Sequence, residues 1–207
     1  MKLSQRLFTI ASLVKKGAVV ADIGADHGLL SIYLVENKIV KKVFAVENKK
    51  GPFSILEKNT KEYRKITASL SDGISEIPDD IDTVIIAGMG GILVSDILIK
   101  NEEKLKNVQY IIVDAHRDLI LVRQTLQNLG YEFEKEILVK EGVFYNVMSV
   151  KRGQSKLAPA DLEFGYHINK DPLFNEYRQS LLEQYERNYK CNNSIELAHK
   201  IERLKHL

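Results

Sequence analysis

The sequence predicts an α/β protein built on a doubly wound, mostly parallel sheet, closed by an antiparallel hairpin and followed by two carboxy-terminal helices. Three observations carry this. Apolar runs of strand length alternate with helical segments from residue 18 to residue 129. Those runs are apolar on both faces, as in strands buried between two helical layers. The alternation then stops at 131–153, where two alternating segments flank Glu141-Gly142 and leave no room for a helix.

Taken in order, Leu3, Leu7, Ile10, Ala11 and Val14 recur at helical spacing and Lys15-Lys16-Gly17 stops the pattern, predicting an amphipathic first helix. The run 18–24 (AVVADIG) is a buried strand, 29–37 (LLSIYLVEN) a helix and 42–47 (KVFAVE) a second strand. A helix over about 51–62 leads to strands at 65–70 and 82–88, a helix at 91–99, a strand at 110–114 and a helix at 119–129. Beyond Gly153, QSKLAPAD reads as a linker, with Pro159 and small or polar residues. It sets the expected division into a domain at 1–155 and a helical one at 156–207. Residues 173–206 hold two helices broken near Asn192-Asn193. Leu181, Leu182, Tyr185 and Tyr189 on the first, with Leu197, Ile201 and Leu204 on the second, form apolar stripes that predict an antiparallel helical hairpin.

Hydrophobic residues make up 44% of the 207 and charged residues 28%, which argues for a soluble globular chain and against a disordered, collagen-like or disulfide-scaffold one. The longest apolar run, 83–94, carries glycines and is too short to span a bilayer. The amino-terminal stretch from Lys2 is interrupted by Gln5 and Arg6, so neither a membrane crossing nor an export signal is expected. The single cysteine, Cys191, forms no internal disulfide and no zinc site by itself, so a reducing, cytoplasmic setting without a structural metal is expected. The net charge of +2 hides an asymmetry: residues 1–65 hold 13 Lys or Arg against 6 Asp or Glu. Such an excess suits a polyanion, or serves only to solvate the surface.

The stretch VVADIGADHGLLSIYL (19–34) places a glycine-bearing turn between the first strand and the helix after it, where α/β sheets bind ligands. No G-x-x-x-x-G-K-[ST] string occurs, which disfavours nucleoside triphosphate hydrolysis. A dinucleotide fold wants G-x-G-x-x-G, whereas Gly24 and Gly28 are separated by three residues that include the bulky His27, so NAD is the second choice. What remains, Asp22-x-Gly24-x-x-x-Gly28, resembles motif I of the class I S-adenosylmethionine-dependent methyltransferases. Three further positions agree in order and spacing. Glu47 ends the second strand, where an acid accepts hydrogen bonds from ribose hydroxyls. Asp72-Gly73 follows the third strand, and Ala87-Gly88-Met89-Gly90-Gly91 closes the fourth.

That last string has no side-chain acceptor and no aromatic platform, which disfavours methylation of an exocyclic amine. A ring nitrogen such as N1 of adenine has a free lone pair and no proton to lose, so positioning and nearby carboxylates suffice. Asp26 is the leading carboxylate; the position also suits holding a cofactor ammonium group or capping a helix. His27 suits contact with cofactor or phosphate, and equally capping or packing. Arg6, Lys15, Lys16, Lys41 and Lys42, with Lys49 and Lys50, are candidates for a phosphate-tracking surface.

LSQRLFTIASLV (3–14), VADIGADHGLLSIYL (20–34), IIAGMGG (85–91) and FYNVMSVKRG (144–153), followed by a charged helical tail, resemble the bacterial tRNA adenine-N1 methyltransferases acting at position 22 of the D-arm. The resemblance covers the whole chain. It implies a Rossmann-like class I methyltransferase domain, a helical coiled-coil carboxy-terminal domain, S-adenosylmethionine as methyl donor and tRNA as substrate and partner. Separately from it, no metal, no membrane and a monomer are expected. By position the resemblance implies a cofactor cleft lined by Asp22, Gly24, Asp26, His27, Gly28, Glu47, Asp72, Gly73 and the 88–91 loop with Gly88, Met89 and Gly90; Asp26, as the leading carboxylate, and His27 are the candidate catalytic residues. The chain departs from the family in two places. Gly28-Leu29-Leu30-Ser31 stands where the family has a tyrosine followed by Leu-Pro, and Val113-Asp114-Ala115-His116 where it has Leu-Gln-Pro-Asn. A small-molecule methyltransferase, a non-catalytic RNA-binding module of the same fold and, remotely, an NAD-linked oxidoreductase are the alternatives.

Overall fold

Five parallel strands form the body of the sheet: β1 (Ala18–Ile23), β2 (Val40–Glu47), β3 (Ile66–Leu70), β4 (Thr83–Met89) and β5 (Tyr110–Ala115). The computed structural model describes residues 3–154 and 156–207; Lys2 and the boundary residue Ser155 lie outside the described residues. Two further strands, β6 (Tyr131–Glu141) and β7 (Val143–Arg152), turn at Gly142 and pair antiparallel, β7 lying against β5. The order is β3-β2-β1-β4-β5-β7-β6, so the chain reverses its direction of travel across the sheet between β1 and β4.

Alternation within each strand feeds two cores. Ala21 and Ile23 of β1, with Ile111 and Val113 of β5, face the helices α4 (Gly91–Lys100) and α6 (Leu119–Asn128), where Val94, Leu98, Val122 and Leu126 are buried. Ala18, Val20 and Ile112 face the other way, toward α1 (Gln5–Leu13), α2 (Leu29–Glu36) and α3 (Lys50–Thr60). A side-chain period of two that is buried on both faces fixes the register, because a one-residue slip would exchange the two cores. The predicted strands and helices lie within a few residues of these bounds. The α5 turn (Glu102–Leu105) goes beyond the sequence reading, since four mostly charged residues carry no periodicity.

The expected linker after Gly153 is a docked segment. Leu157 is buried in the α4–α6 core and its N–H donates to Gln127 Oε1 at 2.7 Å. Pro159 then opens α7 (Pro159–Phe164), where its missing N–H costs nothing. The long helix α8 (Phe174–Asn192) and α9 (Ile195–Lys205) form the expected antiparallel hairpin, with Asn193 left-handed at the break and Ser194 accepting from Leu197 N–H. Tyr177, Ile168, Phe174 and Leu204 share one apolar cluster with Leu138 of β6, and Tyr185 packs on it, whereas Tyr189 is exposed.

A buried polar network ties this part to the sheet. Arg123 of α6, fully buried, donates to Glu136 of β6 through Nη2 at 2.6 Å and Nε at 3.1 Å, and to the carbonyls of Leu162 and Glu163 at 3.0 and 3.3 Å. Glu136 also accepts from Asn146 at 2.9 Å and from the Tyr166 N–H at 2.8 Å. Removing one member of such a pair strands a buried charge, a loss of about 3–5 kcal/mol. Glu136→Ala is expected to lose that amount in denaturant unfolding, and a loss below about 1 kcal/mol would show that the network is not a structural anchor.

Candidate active site

Two spaces open at the carboxyl ends of the parallel strands, on either side of the gap where the strand order reverses. One, of about 440 Å³, is lined by Glu47, Asn48 and Lys49 after β2, Asp72 and Gly73 after β3, and Gly88, Met89 and Gly90 at the end of β4. The other, of about 290 Å³, is lined by Arg6 and Leu7 of α1, Asp22 near the end of β1, Asp26 and His27 after it, Leu29 of α2 and His116 after β5. Both share Gly24, Ala87 and Gly88. The larger space falls within the range of small-molecule sites, and the two join across three small residues.

The glycines hold backbone that other residues take up at a cost. Gly24 and Gly88 have φ of +75° and +78°, and a Cβ on Gly24 would collide with the Met89 methyl group. Gly28 lies outside both linings: it is buried, left-handed at φ +74°, and packed so that a Cβ would sit 2.7 Å from Leu56. The missing Cβ lets the start of α2 lie against Leu56 and Thr60 of α3.

Asp22 is buried, and its one side-chain hydrogen-bond partner among the described residues is the Ser31 hydroxyl, which donates at 2.6 Å. Burial pushes its carboxyl up from 3.8 to about 6, with the Ser31 bond opposing. Glu47 is buried too, but its oxygens accept from the N–H groups of Asn48 at 3.0 Å, Lys49 at 2.9 Å and Asp26 at 3.2 Å, joining the β1 and β2 loops. Asp26 is left-handed at φ +50° and exposed, and its side chain caps no helix, since Gly28 occupies the N-cap of α2 without a side-chain bond. His27 is half exposed, 3.7 Å from the Asp26 carboxylate.

At the far wall of the smaller space, the Arg6 guanidinium is paired with Asp114, whose side chain is fully buried at the end of β5. Arg6 lies over the Tyr145 ring at 5.2 Å, and His116 meets the same ring edge-on at 5.6 Å. Sequence reasoning missed Tyr145. It also placed Arg6 among phosphate-tracking cations, and the fold pairs one of its guanidinium nitrogens with Asp114. The signal was present: a charged residue ending the apolar strand YIIVD needs a buried cation.

The proposed basic surface is divided. Lys15 and Lys16 precede β1, and Lys41 and Lys42 start β2, so these four sit at the amino ends of the strands, about 20 Å of strand away from the two spaces. Lys15 is paired with Glu134 at 3.0 Å and Lys42 with Asp80 at 2.6 Å. Lys49 and Lys50, exposed at the carboxyl end of β2, lie at the rim. Neighbours in sequence are thus carried to opposite ends of the sheet.

A family model described as a methyltransferase domain matches residues 3–148. The tRNA (adenine(22)-N(1))-methyltransferase of Bacillus subtilis is 32% identical over 163 residues, spanning 76% of this chain and 68% of that protein. The chain belongs to this tRNA adenine-N1 methyltransferase family. Solved structures agree over nearly the whole length. Sp1610 of Streptococcus pneumoniae, in complex with S-adenosyl-L-methionine, is 31% identical with a TM-score of 0.92, covering 99% of both chains. The B. subtilis M1A22 tRNA methyltransferase is 28% identical with a TM-score of 0.90, covering 99% of this chain and 98% of that one.

Both departures from the family's motifs, Leu29 and Asp114–His116, fall around the smaller space and leave the larger one untouched. The larger space and Asp22 beside it present carboxylates, which suit a cationic methyl donor better than a pyrophosphate. Among the described residues, no cluster of His, Cys, Asp or Glu has the make-up of a metal site, and no helix is long and apolar enough to cross a membrane.

The raised Asp22 carboxyl yields a stability test. The folded state holds its proton more tightly than the unfolded chain, so this contribution to stability is present below about pH 4 and is lost as pH rises through about 6. Between pH 4 and pH 7, unfolding of Asp22→Asn and the parent chain should diverge in favour of the variant by up to about 3 kcal/mol. Parallel pH profiles would contradict the burial of this charge.

Proposed function

We propose that the chain transfers a methyl group from S-adenosyl-L-methionine to N1 of adenine 22 in the D-arm of tRNA. The observation that carries this reading is that the two spaces share Gly24, Ala87 and Gly88 in their walls, residues whose side chains amount to one methyl group, so that a donor side adjoins an acceptor side. When bound, S-adenosyl-L-methionine supplies a methyl group activated on a sulfonium. On the donor side Glu47 is placed for ribose hydroxyls and Asp72-Gly73 for the adenine edge, while Gly24, Gly88 and Gly90 keep the floor open. Met89, packed on Gly24, borders the reacting centre. Asp22, Asp26 and Glu47 supply negative charge for a cationic ligand.

On the acceptor side, N1 carries a lone pair and no proton. The transfer forms an N–C bond as the C–S bond breaks, so no residue has to act as a general base. The ring becomes a cation, which the carboxylates of Asp22 and Asp26 stabilise across the shared gap. His27, beside Asp26 at the mouth, is placed to meet the nucleotide or its phosphate.

A groove of about 820 Å³ between the β6–β7 hairpin and α8 shares His116 with the acceptor side and carries neutral polar groups, among them Asn146, Asn175, Gln179 and Ser180, beside the paired Lys140 and Glu176 and the acid Glu183. It supports a tRNA path from the catalytic part, 1–155, onto the helical part, 156–207, with Lys49 and Lys50 as cations at the opposite rim. Action as a monomer, in the cytoplasm with its tRNA, belongs to the same proposal.

Labelled S-adenosyl-L-methionine with unmodified tRNA transcripts tests the reading. 1-Methyladenosine is expected in a transcript with adenine at position 22 and not in one with guanine there; absence of transfer to either would overturn it. Cofactor affinity is a second check. Asp22 must lose its proton to meet a cation, so binding should weaken up to about tenfold per pH unit below about 6, and Asp22→Asn should flatten that dependence.

A further inference from the structure

The acceptor side has no Phe, Tyr or Trp among its lining residues, only the imidazoles of His27 at the mouth and His116, yet a flipped base needs a flat surface to replace the stacking it leaves. Four observations locate one. Arg6 lines this space and lies near Gly88, its Nη1 3.7 Å from where a Cβ on that glycine would be. Its guanidinium carbon lies over the Tyr145 ring, 5.2 Å from the centroid, and Tyr145 is not among the residues lining the space. Its recorded hydrogen bond is the one from Nη1 to Asp114, so Nε and Nη2 have no protein acceptor among the described residues. Finally, Asp114 is fully buried and its Oδ1 has no partner among the described residues, which makes Arg6 the group that holds this charge in the fold.

We propose that the guanidinium plane of Arg6, backed by Tyr145 and oriented by Asp114, is the surface on which the acceptor base stacks, with exposed Leu29 of α2 forming the opposite wall. Arginine planes stack bases much as aromatic rings do. A bare guanidinium would repel the cation formed when N1 is methylated, and the buried Asp114 carboxylate offsets that charge. Arg6 thus touches the base, and Asp114 is a positioning residue that acts through it. This inference rests on the base-methylation reading, and the parent chain, assayed in parallel on the adenine-22 transcript, separates failure of that reading from failure of this one.

The test compares Arg6→Lys, which keeps the charge and loses the plane, with the double variant Arg6→Lys/Leu29→Tyr, which returns a flat surface from the other wall. Turnover at saturating tRNA, S-adenosylhomocysteine affinity, thermal midpoint and salt dependence of tRNA binding are measured for each. Arg6→Lys is expected to lose turnover on the order of tenfold to a hundredfold, the range for loss of one stacking partner, with S-adenosylhomocysteine affinity unchanged. The double variant is expected to recover much of the loss. Full activity in Arg6→Lys would overturn the proposal, as would a defect confined to salt-sensitive tRNA binding. If Arg6→Lys lowers the thermal midpoint, the double variant decides: recovered turnover at the same lowered midpoint supports stacking, and no recovery assigns Arg6 a structural role and overturns it.

Discussion

The reversal of strand order between β1 and β4 is the constraint on which the site depends. The two strands are paired in register, Ile23 beside Ile86, yet the helices that follow them go to opposite faces, α2 to one core and α4 to the other. The backbone must therefore part just beyond Ile23 and Ala87, and a gap opens there that no side chain of the sheet can fill. Gly24 and Gly88, both left-handed, are the residues at which the chain turns away. Everything at the carboxyl edge, including Asp22, Glu47, Asp72, Asp114 and His116, is delivered to that gap by strands whose register the two cores lock.

The charges at this edge are held in different ways. Glu47 is satisfied by three backbone N–H groups and joins two loops, and Asp114 is held by an arginine from the first helix. Asp22 has a single hydroxyl and is protonated more readily than an ordinary aspartate. A fold selected for stability alone would give a buried carboxylate more partners; a site that receives a cation gains by leaving it short. The contrast with Arg123–Glu136 is instructive, because that pair, away from the gap, has all its neighbours supplied.

Much of the fold was legible because its signals are local. Apolar runs such as VVADI and VIIAG end in glycine, helices begin where the period changes, and Gly142 sits at the hairpin tip where a left-handed residue was needed. The cleft residues were legible because each follows a strand end. What was hidden is long-range. Arg123 reads as an exposed helix residue until Glu136, on another element, is brought against it. Arg6 reads as one basic residue among many until the fold places Asp114 beside it, 108 positions away. The basic amino-terminal third was misread as one face, since a strand separates its lysines by its own length. The segment after Gly153 looked like a linker because Leu157 and Pro159 reveal their contacts only in three dimensions.

The central claim is that two adjoining spaces act as donor and acceptor sides of one site that meet at Gly24 and Gly88. A crystal structure of the chain with S-adenosylhomocysteine tests this most directly. The account predicts the ribose against Glu47, the adenine beside Asp72 and Gly73, and the sulfur directed at Gly88, with the space between Arg6 and Leu29 left for the acceptor. Adenosine density between Arg6 and Leu29, or binding away from the strand carboxyl ends, would contradict it.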